Sequence, residues 1–277
     1  MVKMLKESEN NQKYKVYAVV APSISSQFSY AKLGQVIAAI KKLGFHSVVE
    51  VALGADMVAQ EESDELLEKG MLASSCCPAF VDYVEKNFPN QADLISHTPS
   101  PMVMIGLHLK EKDPDAKVIF IGPCVAKKKE FRLGKTMGAV DCVLTFEELY
   151  ALFESRGLDV AQLEDTELDQ ASGYGRTFAR SGGVAAAVAE ALKEQGSDFA
   201  LKANPCSGFE ACKLAFLKAA KGVGDFNFIE GMGCEGGCVQ GPAQLIRSPR
   251  NQGDVERHAR QAEGRTIQNA VEAAQGT

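Results

Sequence analysis

The sequence predicts an α/β fold in which two lobes of mostly parallel sheet are flanked by helices, and three observations support this prediction. Short runs rich in Val, Ile and Phe alternate with longer segments of helical periodicity, a pattern typical of parallel sheets with crossover helices. The 277 residues reach the size, roughly 250–300 residues, at which a single core stops growing, which favours two lobes. Finally, 45% hydrophobic and 24% charged residues are the proportions of an ordinary globular protein.

The elements follow from composition and periodicity. Seven segments have the composition of strands: Lys15–Ala21, Ser47–Ala52, Met71–Ser75, Lys117–Ile121, Cys142–Phe146, Phe199–Ala203 and Phe226–Glu230. Eight segments have helical patterns: Ala31–Leu43, Asp56–Lys69, Pro78–Phe88, Pro101–Lys110, Thr145–Arg156, Gly183–Gln195, Phe209–Lys221 and Val255–Ala274. Thr145 and Glu148 have the spacing of a capping box, which predicts where one of these helices begins.

The domain organisation is predicted from breaks in this pattern. We expect residues 1–14 to be a tail or linker stub and residues 15–277 to form the domain. The seam between its lobes is expected near residues 98–101, where two prolines interrupt the pattern. The C-terminal helix is expected to return to the first lobe.

Charge and hydropathy argue against two classes of protein. The net charge of −6 does not favour a nucleic-acid surface, which needs clustered Lys and Arg. No apolar run is long enough to span a bilayer, and Met1–Lys15 lacks the apolar region of a signal peptide. We therefore expect a cytoplasmic protein without membrane insertion. In that reducing compartment, 8 cysteines indicate metal or redox chemistry more than disulfides.

Half of the cysteines lie in Gly- or Pro-rich turns that follow predicted strands. They are Cys77, Cys124, Cys234 and Cys238. The carboxyl ends of strands are where α/β proteins place their sites, and glycines let N–H groups approach an anionic iron–sulfur cluster. Four thiolates from three loops therefore suit a [4Fe–4S] cluster.

Two alternatives for the cysteines remain open on this reasoning. A structural zinc site is one, although only Cys234 and Cys238 have the usual close spacing. Buried, inert thiols are the other, and this is our interpretation of Cys142, Cys206 and Cys212.

Three ordered motifs carry a resemblance to a known family. They are Ser74-Ser75-Cys76-Cys77-Pro78, Pro123-Cys124-Val125-Ala126-Lys127-Lys128-Lys129-Glu130 and Glu230-Gly231-Met232-Gly233-Cys234-Glu235-Gly236-Gly237-Cys238. With these motifs the sequence resembles the catalytic domain of the [FeFe]-hydrogenases, in a minimal form without ferredoxin-like accessory domains. The resemblance extends from about Lys15 to Leu245. It implies an iron hydrogenase, an oxidoreductase that catalyses reversible H₂ oxidation and proton reduction.

The resemblance also implies cofactors and partners. Cys77, Cys124, Cys234 and Cys238 would hold the [4Fe–4S] cluster, and Cys238 would bridge it to a diiron unit with CO, cyanide and azadithiolate ligands. Dedicated maturation proteins supply that unit in the family. The further partners would be H₂, protons and a soluble electron carrier such as ferredoxin.

A proton relay is implied as well. Cys76 matches the family's proton-transferring cysteine, and Glu62, Glu65 and Ser96 match the groups behind it. The spacing of the two glutamates puts them on one face of a predicted helix. An acidic solvated face is the ordinary interpretation of such a run, and the order of the motifs favours the relay.

Other matched positions would form the wall of the diiron site. Lys127 resembles the lysine that donates a hydrogen bond to a cyanide ligand, and the remaining wall residues are Ala21, Pro22, Ser23, Phe178 and Met232. The sequence departs from the family's usual pattern at Gly122, at Met102 and in the segment Val239–Pro242. These departures alter the pocket around the diiron site but leave the ligand set intact.

Two other functions are compatible with the cysteines. One is a non-catalytic iron–sulfur protein, which needs no proton relay, and the other is an H₂ sensor of the same family. The 4 histidines fit no ligand pattern. His97, next to Ser96, is interpreted as a surface or helix-capping residue.

Overall fold

Two parallel sheets organise the chain, whose residues 1–262 and 264–276 are described by a computed structural model. The strands are β1 (Val16–Val20), β2 (Ser47–Glu50), β3 (Leu72–Ala73), β4 (Lys117–Gly122), β5 (Cys142–Thr145), β6 (Ala203–Ser207) and β7 (Phe228–Met232). The first sheet has the order β2-β1-β4-β5 and the second the order β3-β7-β6, with every pair parallel. The predicted α/β class with parallel sheets is confirmed.

Helices cover both sheets. They are α1 (Val2–Glu7), α2 (Leu33–Lys42), α3 (Val51–Lys69), α4 (Pro78–Asn87), α5 (Pro101–Lys112), α6 (Lys127–Glu130), α7 (Phe146–Ser155), α8 (Gly173–Thr177), α9 (Gly183–Glu194), α10 (Phe209–Ala220), α11 (Arg250–Arg260) and α12 (Ile267–Gln275). The capping box predicted at the start of α7 is present, because Thr145 Oγ1 accepts from the Glu148 N–H at 3.2 Å and Glu148 Oε2 accepts from the Thr145 N–H at 2.8 Å. None of the described helices combines the length and apolar character needed to cross a membrane.

Helix α3 lies between the two main hydrophobic cores. Its first turns contribute Leu53 and Met57 to the core of the four-stranded sheet, and Val58 and Leu66 pack in the core of the three-stranded sheet. At Gly54 the helix passes so close to α5 that an added Cβ would lie 2.4 Å from the Pro101 carbonyl oxygen. A helix buried on both sides holds the two sheets together and brings their ends toward each other.

The carboxyl ends of the strands define where a site can form. Strands β1 and β4 are neighbours in the first sheet. After β1 the chain continues to β2 at one edge of the sheet, and after β4 it continues to β5 at the other edge, so the gap between β1 and β4 is a topological switch point. Residues 21–23 follow β1, and Cys124 follows β4. In the second sheet, Cys77 follows β3 and Cys234 follows β7. The residues predicted for the site therefore come from the strand ends of both sheets.

The structure corrects several predicted boundaries. Strand β6 begins where the predicted strand Phe199–Ala203 ends, because Phe199 and Leu201 pack on the second core while residues 203–207 pair with β7. Helix α3 begins at Val51, so the apolar run that predicted a strand to Ala52 is divided between strand and helix. The predicted helix Val255–Ala274 is instead two helices, because Gly264 has a φ of +89° and Thr266 caps α12.

The first residues also differ from the expected tail. Val2–Glu7 form α1, whose Met4 and Leu5 pack against the first core. Tyr14 Oη donates to the Met4 carbonyl at 2.9 Å, which ties the following turn to this helix. At the other terminus, Ala270 and Val271 of α12 belong to the first core. The lobe boundaries themselves stay predictions.

Candidate active site

One cavity of about 80 Å³ lies where the loops after β1, β3, β4 and β7 meet. Most of the predicted site residues line it: Ala21, Pro22, Ser23, Cys76, Cys77, Cys124, Lys127, Phe178, Met232 and Cys238. Its volume exceeds the ~30 Å³ that one water occupies in the liquid, so the cavity can accept a group of several atoms. The structure thus brings residues up to 217 positions apart in the sequence, such as Ala21 and Cys238, around one space.

The four candidate ligand thiols lie close enough to influence one another. After burial, the main causes that raise the pKa of Cys238 are the neighbouring Cys124, Cys77 and Cys234. Burial, followed by Cys77 and Cys124, also raises the pKa of Cys234 to about 11. Among the described residues, Cys77, Cys124 and Cys238 line the cavity and Cys234 does not, although it is near enough to raise the pKa of Cys238. In residues 1–262 and 264–276, no group of three His, Cys, Asp or Glu side chains has the arrangement of a single-ion site. The thiols surround a space and do not meet at one point.

Backbone donors approach these thiols. The Gly233 N–H donates to Cys77 Sγ at 3.4 Å. Burial raises the pKa of Cys124, and N–H groups of Ala126 and Lys127 oppose that shift. Gly237 has a φ of +93°, and an added Cβ would lie 2.8 Å from the Ser181 nitrogen, so only glycine allows the turn into Cys238. N–H groups aimed at sulfur suit thiolates bound to an iron–sulfur cluster.

Lys127 supplies a buried cation on the wall. Its Nζ donates to Ser100 Oγ at 2.8 Å and to the Cys76 carbonyl oxygen at 3.2 Å, and it lies 2.7 Å from Glu130 Oε2. Although burial alone would lower the pKa of Lys127, Glu130 raises it above its usual value. The lysine is therefore a permanent positive charge beside the cavity.

Ser23 and the two departures from the family pattern, Gly122 and Met102, complete the wall. Ser23 is fully buried, and its Oγ has no hydrogen-bond partner among the residues described. At Gly122, one of the departures noted in the sequence, an added Cβ would lie 2.6 Å from the Phe120 ring, which itself lines the cavity. Met102, the second departure, also lines it. An unpartnered hydroxyl, a buried cation and the surrounding thiols fit an anionic iron–sulfur group.

A buried ion pair holds the helix that precedes Phe178. Arg176 of α8 donates to both carboxylate oxygens of Glu50, through Nε and Nη2, each at 2.8 Å. Burial alone would raise the pKa of Glu50, but hydrogen bonds from His258 and Arg176 lower it to about 2. The pair joins the end of β2 to α8 and so fixes Phe178 on the cavity wall.

Behind Cys76, Glu62 is the buried carboxyl of the predicted relay. Its Oε1 accepts from the Ser75 N–H at 3.0 Å and lies 3.4 Å from Ser75 Oγ, while Oε2 has no partner in the described part of the chain. Burial raises the pKa of Glu62 to about 8. Burial, and next the charge of Glu62, raises the pKa of the Cys76 thiol.

Glu65 and Ser96 form the outer part of the relay. Ser96 Oγ donates to Glu65 Oε2 at 2.5 Å, and Lys69 Nζ lies 2.7 Å from Glu65 Oε1. Burial alone would raise the pKa of Glu65, but hydrogen bonds from Lys69, Ser96 and the His97 N–H lower it. The inner carboxyl is thus held in an environment that favours its neutral form and the outer one in an environment that favours its charged form.

Two residues without a predicted role join this arrangement. Ser75 holds Glu62, and its Oγ donates to the Thr98 carbonyl at 2.5 Å, while the Thr98 N–H donates to Ser96 Oγ at 3.1 Å. His97, interpreted from sequence as a surface or capping residue, places Nδ1 3.3 Å from Glu65 Oε1. The only sign of these roles in the sequence is position, since Ser75 precedes Cys76 and His97 follows Ser96.

Comparison with known proteins adds to this geometry. Residues 14–242 match the family described as iron only hydrogenase large subunit, C-terminal domain. The chain is 26% identical to Iron hydrogenase 1 of Clostridium pasteurianum over 89% of this chain and 53% of that protein. It is 28% identical to the periplasmic [Fe] hydrogenase large subunit of Nitratidesulfovibrio vulgaris over 77% of this chain and 62% of that protein. The chain thus spans about half the length of the curated relatives it matches.

A second group of relatives consists of proteins named as Fe-S cluster assembly factors. The cytosolic Fe-S cluster assembly factor NAR1 of Eremothecium gossypii is 32% identical over 48% of this chain and 31% of that protein. Among solved structures, a variant of the [FeFe]-hydrogenase HydA1 from Chlamydomonas reinhardtii superposes with a TM-score of 0.77 at 21% identity, covering 100% of this chain and 93% of that one. That likeness concerns the fold.

Proposed function

Because the chain belongs to the family of iron-only hydrogenase large subunits, we propose that it is a hydrogenase domain that interconverts H₂ with protons and electrons. The observation that supports this most strongly is the single cavity lined by three candidate ligand thiols, the further thiol Cys76 and the cation Lys127. Glu62, a buried carboxyl that can hold a proton at neutral pH, lies behind Cys76. Thiols alone suit many iron–sulfur proteins, whereas a thiol backed by a titratable carboxyl suits proton transfer.

The proposed ligands of a [4Fe–4S] cluster are Cys77, Cys124, Cys234 and Cys238, with Cys238 also reaching a diiron unit that carries CO, cyanide and azadithiolate. When bound, the diiron unit supplies the metal centre at which H₂ is split or formed. The unpartnered Ser23 hydroxyl would donate a hydrogen bond to its anionic ligands, and Lys127 would do so by exchanging one of its three present contacts. Phe178 and Met232 would exclude water from it.

Protons would move through side chains of this chain. Cys76 would pass a proton to or from Glu62, whose pKa of about 8 lets the carboxyl both accept and release it near neutral pH. Ser75 and Thr98 connect Glu62 to Ser96 through backbone amide and carbonyl groups, which would position the relay without carrying a proton, and Ser96 would exchange the proton with Glu65. Glu65 ends the buried part of the route, since its side chain is 12% exposed.

A non-catalytic iron–sulfur protein is the second candidate, because relatives include proteins named cytosolic Fe-S cluster assembly factors. Such a protein needs the cluster thiols and has no use for Cys76 or Glu62 as proton carriers. Retention of both, in the arrangement described, favours the hydrogenase.

The proposed partners are a soluble electron carrier such as ferredoxin and the maturation proteins that supply the diiron unit. The proposed location is the cytoplasm, which matches the relatives named cytosolic Fe-S cluster assembly factors.

The experiment that tests the function is H₂ evolution from reduced viologen after anaerobic reconstitution with iron, sulfide and a synthetic diiron precursor. Infrared bands of CO and cyanide are read on the same sample. We expect both activity and bands in the wild type. The Cys76→Ser variant should keep the iron and the bands while turnover falls about 10²–10⁴-fold, because only proton transfer is removed.

Other outcomes would contradict the proposal at different points. A chain that carries the cluster but takes up no diiron unit would favour the non-catalytic candidate. Loss of iron from Cys76→Ser would show that Cys76 is a ligand and that our division of the adjacent cysteines is wrong.

A further inference from the structure

The outer end of the relay carries a group that the proposed function has not used. The His97 side chain is 81% exposed, and its Nδ1 lies 3.3 Å from Glu65 Oε1. Ser96 and His97 both line an open groove of about 940 Å³ on the surface. The imidazole therefore contacts the last carboxylate of the relay on one side and solvent on the other.

The two oxygens of Glu65 face in different directions. Oε2 accepts from Ser96 Oγ on the inner side at 2.5 Å, and Oε1 faces the His97 ring on the outer side. The backbone N–H of His97 also donates to both oxygens, at 3.1 Å each, which orients the carboxylate. A proton that reaches Glu65 from Ser96 thus has the imidazole nitrogen as its next acceptor.

The other groups that contact Glu65 are less suited to proton exchange with water. Lys69 Nζ lies 2.7 Å from Oε1, but an ammonium group carries only donors and has no lone pair with which to accept a proton from Glu65. Glu65 itself is held toward its charged form by its donors. Imidazole is the side chain that gains and loses a proton between about pH 5 and pH 8 and has two nitrogens that allow a proton to enter at one and leave at the other.

We propose that His97 is the proton-exchange group between Glu65 and solvent. In H₂ oxidation, Nδ1 accepts the proton from the Glu65 carboxyl and Nε2 releases its proton to water or buffer; in H₂ production the transfers run in reverse. No electrons move in this step, and the ring returns to its starting tautomer by rotation or by exchange with water. The inference rests on the proposed function.

Charged groups of α3 and α4 lie along the outer end of the relay. Glu61 and Lys69 lie on α3 with Glu65, and Lys69 Nζ also donates to the Asp93 carbonyl at 3.4 Å. Glu85 and Lys86 of α4 line the same groove as His97. Both signs of charge are present among them.

The first test is H₂ oxidation by the reconstituted enzyme in weak buffer, the condition in which protons leave slowly. His97→Gln keeps the backbone N–H that orients Glu65 but removes the imidazole. We expect its turnover to fall about tenfold, less than for an obligatory acid–base residue because water partly replaces the ring. Added imidazole should restore the rate. His46→Gln is the matched control, since His46 is an exposed histidine that packs against Tyr17 on the first sheet.

Three results would overturn the inference. Wild-type turnover by His97→Gln in weak buffer, in a series where Glu62→Gln is slow, would remove His97 from the route and leave the proposed function intact. A slow His97→Gln that imidazole does not rescue would indicate a structural role. A wild type that takes up the diiron unit and has no turnover would contradict the proposed function itself, and the inference with it.

A spectroscopic measurement tests the contact independently of turnover. In the reconstituted full chain, the ring ¹⁵N resonances of His97, assigned with His97→Gln, should shift in Glu65→Gln because Nδ1 loses its carboxylate partner. Those of His46 should stay in place. Unchanged His97 resonances in Glu65→Gln would overturn the proposal.

Discussion

The wall of the cavity and the relay behind it are built in different ways. The wall is assembled from loops that follow four strands in two sheets, so residues far apart in the sequence must meet there. The two carboxylates of the relay lie one turn apart on a single helix, α3. On the wall, the residue type goes far to determine the chemistry, since a thiol in a tight turn is a ligand candidate, and among the lining thiols only Cys76 is assigned to proton transfer instead. On α3 the environment determines it, since Glu62 and Glu65 are the same residue type with opposite pKa shifts.

The largest effect that separates the two regions is expected from Cys124→Ala. If the wall binds iron and the relay does not, this variant loses the cluster, with a fall in metal affinity beyond the roughly 10–100-fold that loss of a supporting partner costs. The fold should also be destabilised, because cluster binding contributes to folding. Iron and sulfide per chain after reconstitution are the measurement.

Cys142→Ala is the matched control for that experiment. Cys142 lies in β5, paired in register with Ile119, away from the cavity. Its iron content should equal that of the wild type. Full iron in Cys124→Ala would remove Cys124 from the ligand set and with it the distinction between wall and relay.

The next largest effect concerns the charge on the wall. Lys127→Met leaves the buried Glu130 carboxylate without its cation and should destabilise the protein by about 3–5 kcal/mol. The double variant Lys127→Met with Glu130→Gln should recover most of the stability but not the uptake of the diiron unit. Urea unfolding measures the stability, and the infrared bands of CO and cyanide measure the uptake of the diiron unit.

Lys128→Met is the control for the charged wall. Lys128 pairs with Glu148 at the surface, where such a pair contributes about 0–1 kcal/mol. If Lys127→Met and Lys128→Met lowered the free energy of unfolding equally, burial would not distinguish the two lysines.

The difference between the regions explains what the sequence predicts well. Parallel sheets follow from the alternation of strands and helices, and the start of α7 at Thr145 follows from local capping chemistry. The thiols, Lys127 and Met232 could be named because they lie in three short motifs, whereas Ala21, Pro22, Ser23 and Phe178 were named from the family resemblance alone. Their meeting around one cavity is a property of the structure.

Contacts between side chains distant in sequence could not be predicted where no family motif marks the residues. The pair between Glu50 and Arg176 joins positions 126 residues apart, and neither residue lies in a recognisable motif. His97 reaches Glu65 across 32 positions, through a turn whose geometry depends on how α3 packs. The burial that separates Glu62 from Glu65 likewise requires the neighbouring helices, because the sequence shows only an acidic run.

The smallest expected effect tests that burial directly, through the pH dependence of stability. The pKa of Glu62 is raised from 4.5 to about 8 in the folded chain, so the folded state binds this proton more tightly than the unfolded state. The stabilisation is fully present below the unfolded pKa and is lost as pH rises through the folded pKa. At about 1.4 kcal/mol per pH unit, the wild type should lose roughly 2 kcal/mol relative to Glu62→Gln between about pH 6 and pH 7.5.

The measurement is urea unfolding of both reconstituted proteins at the two pH values, with Glu68→Gln as the control because Glu68 is exposed on the same helix. Glu68→Gln should follow the wild type, because it removes a carboxyl that is exposed to solvent. Burial raises the pKa of Asp56 to about 7, but Asp56 is present in every variant and its contribution cancels in the comparison. Glu62→Gln should be the one that diverges, and it should gain relative stability toward alkaline pH. If all three curves ran parallel, Glu62 would be ionised in the folded protein like Glu65. The contrast between the inner and outer ends of the relay would then have no energetic basis.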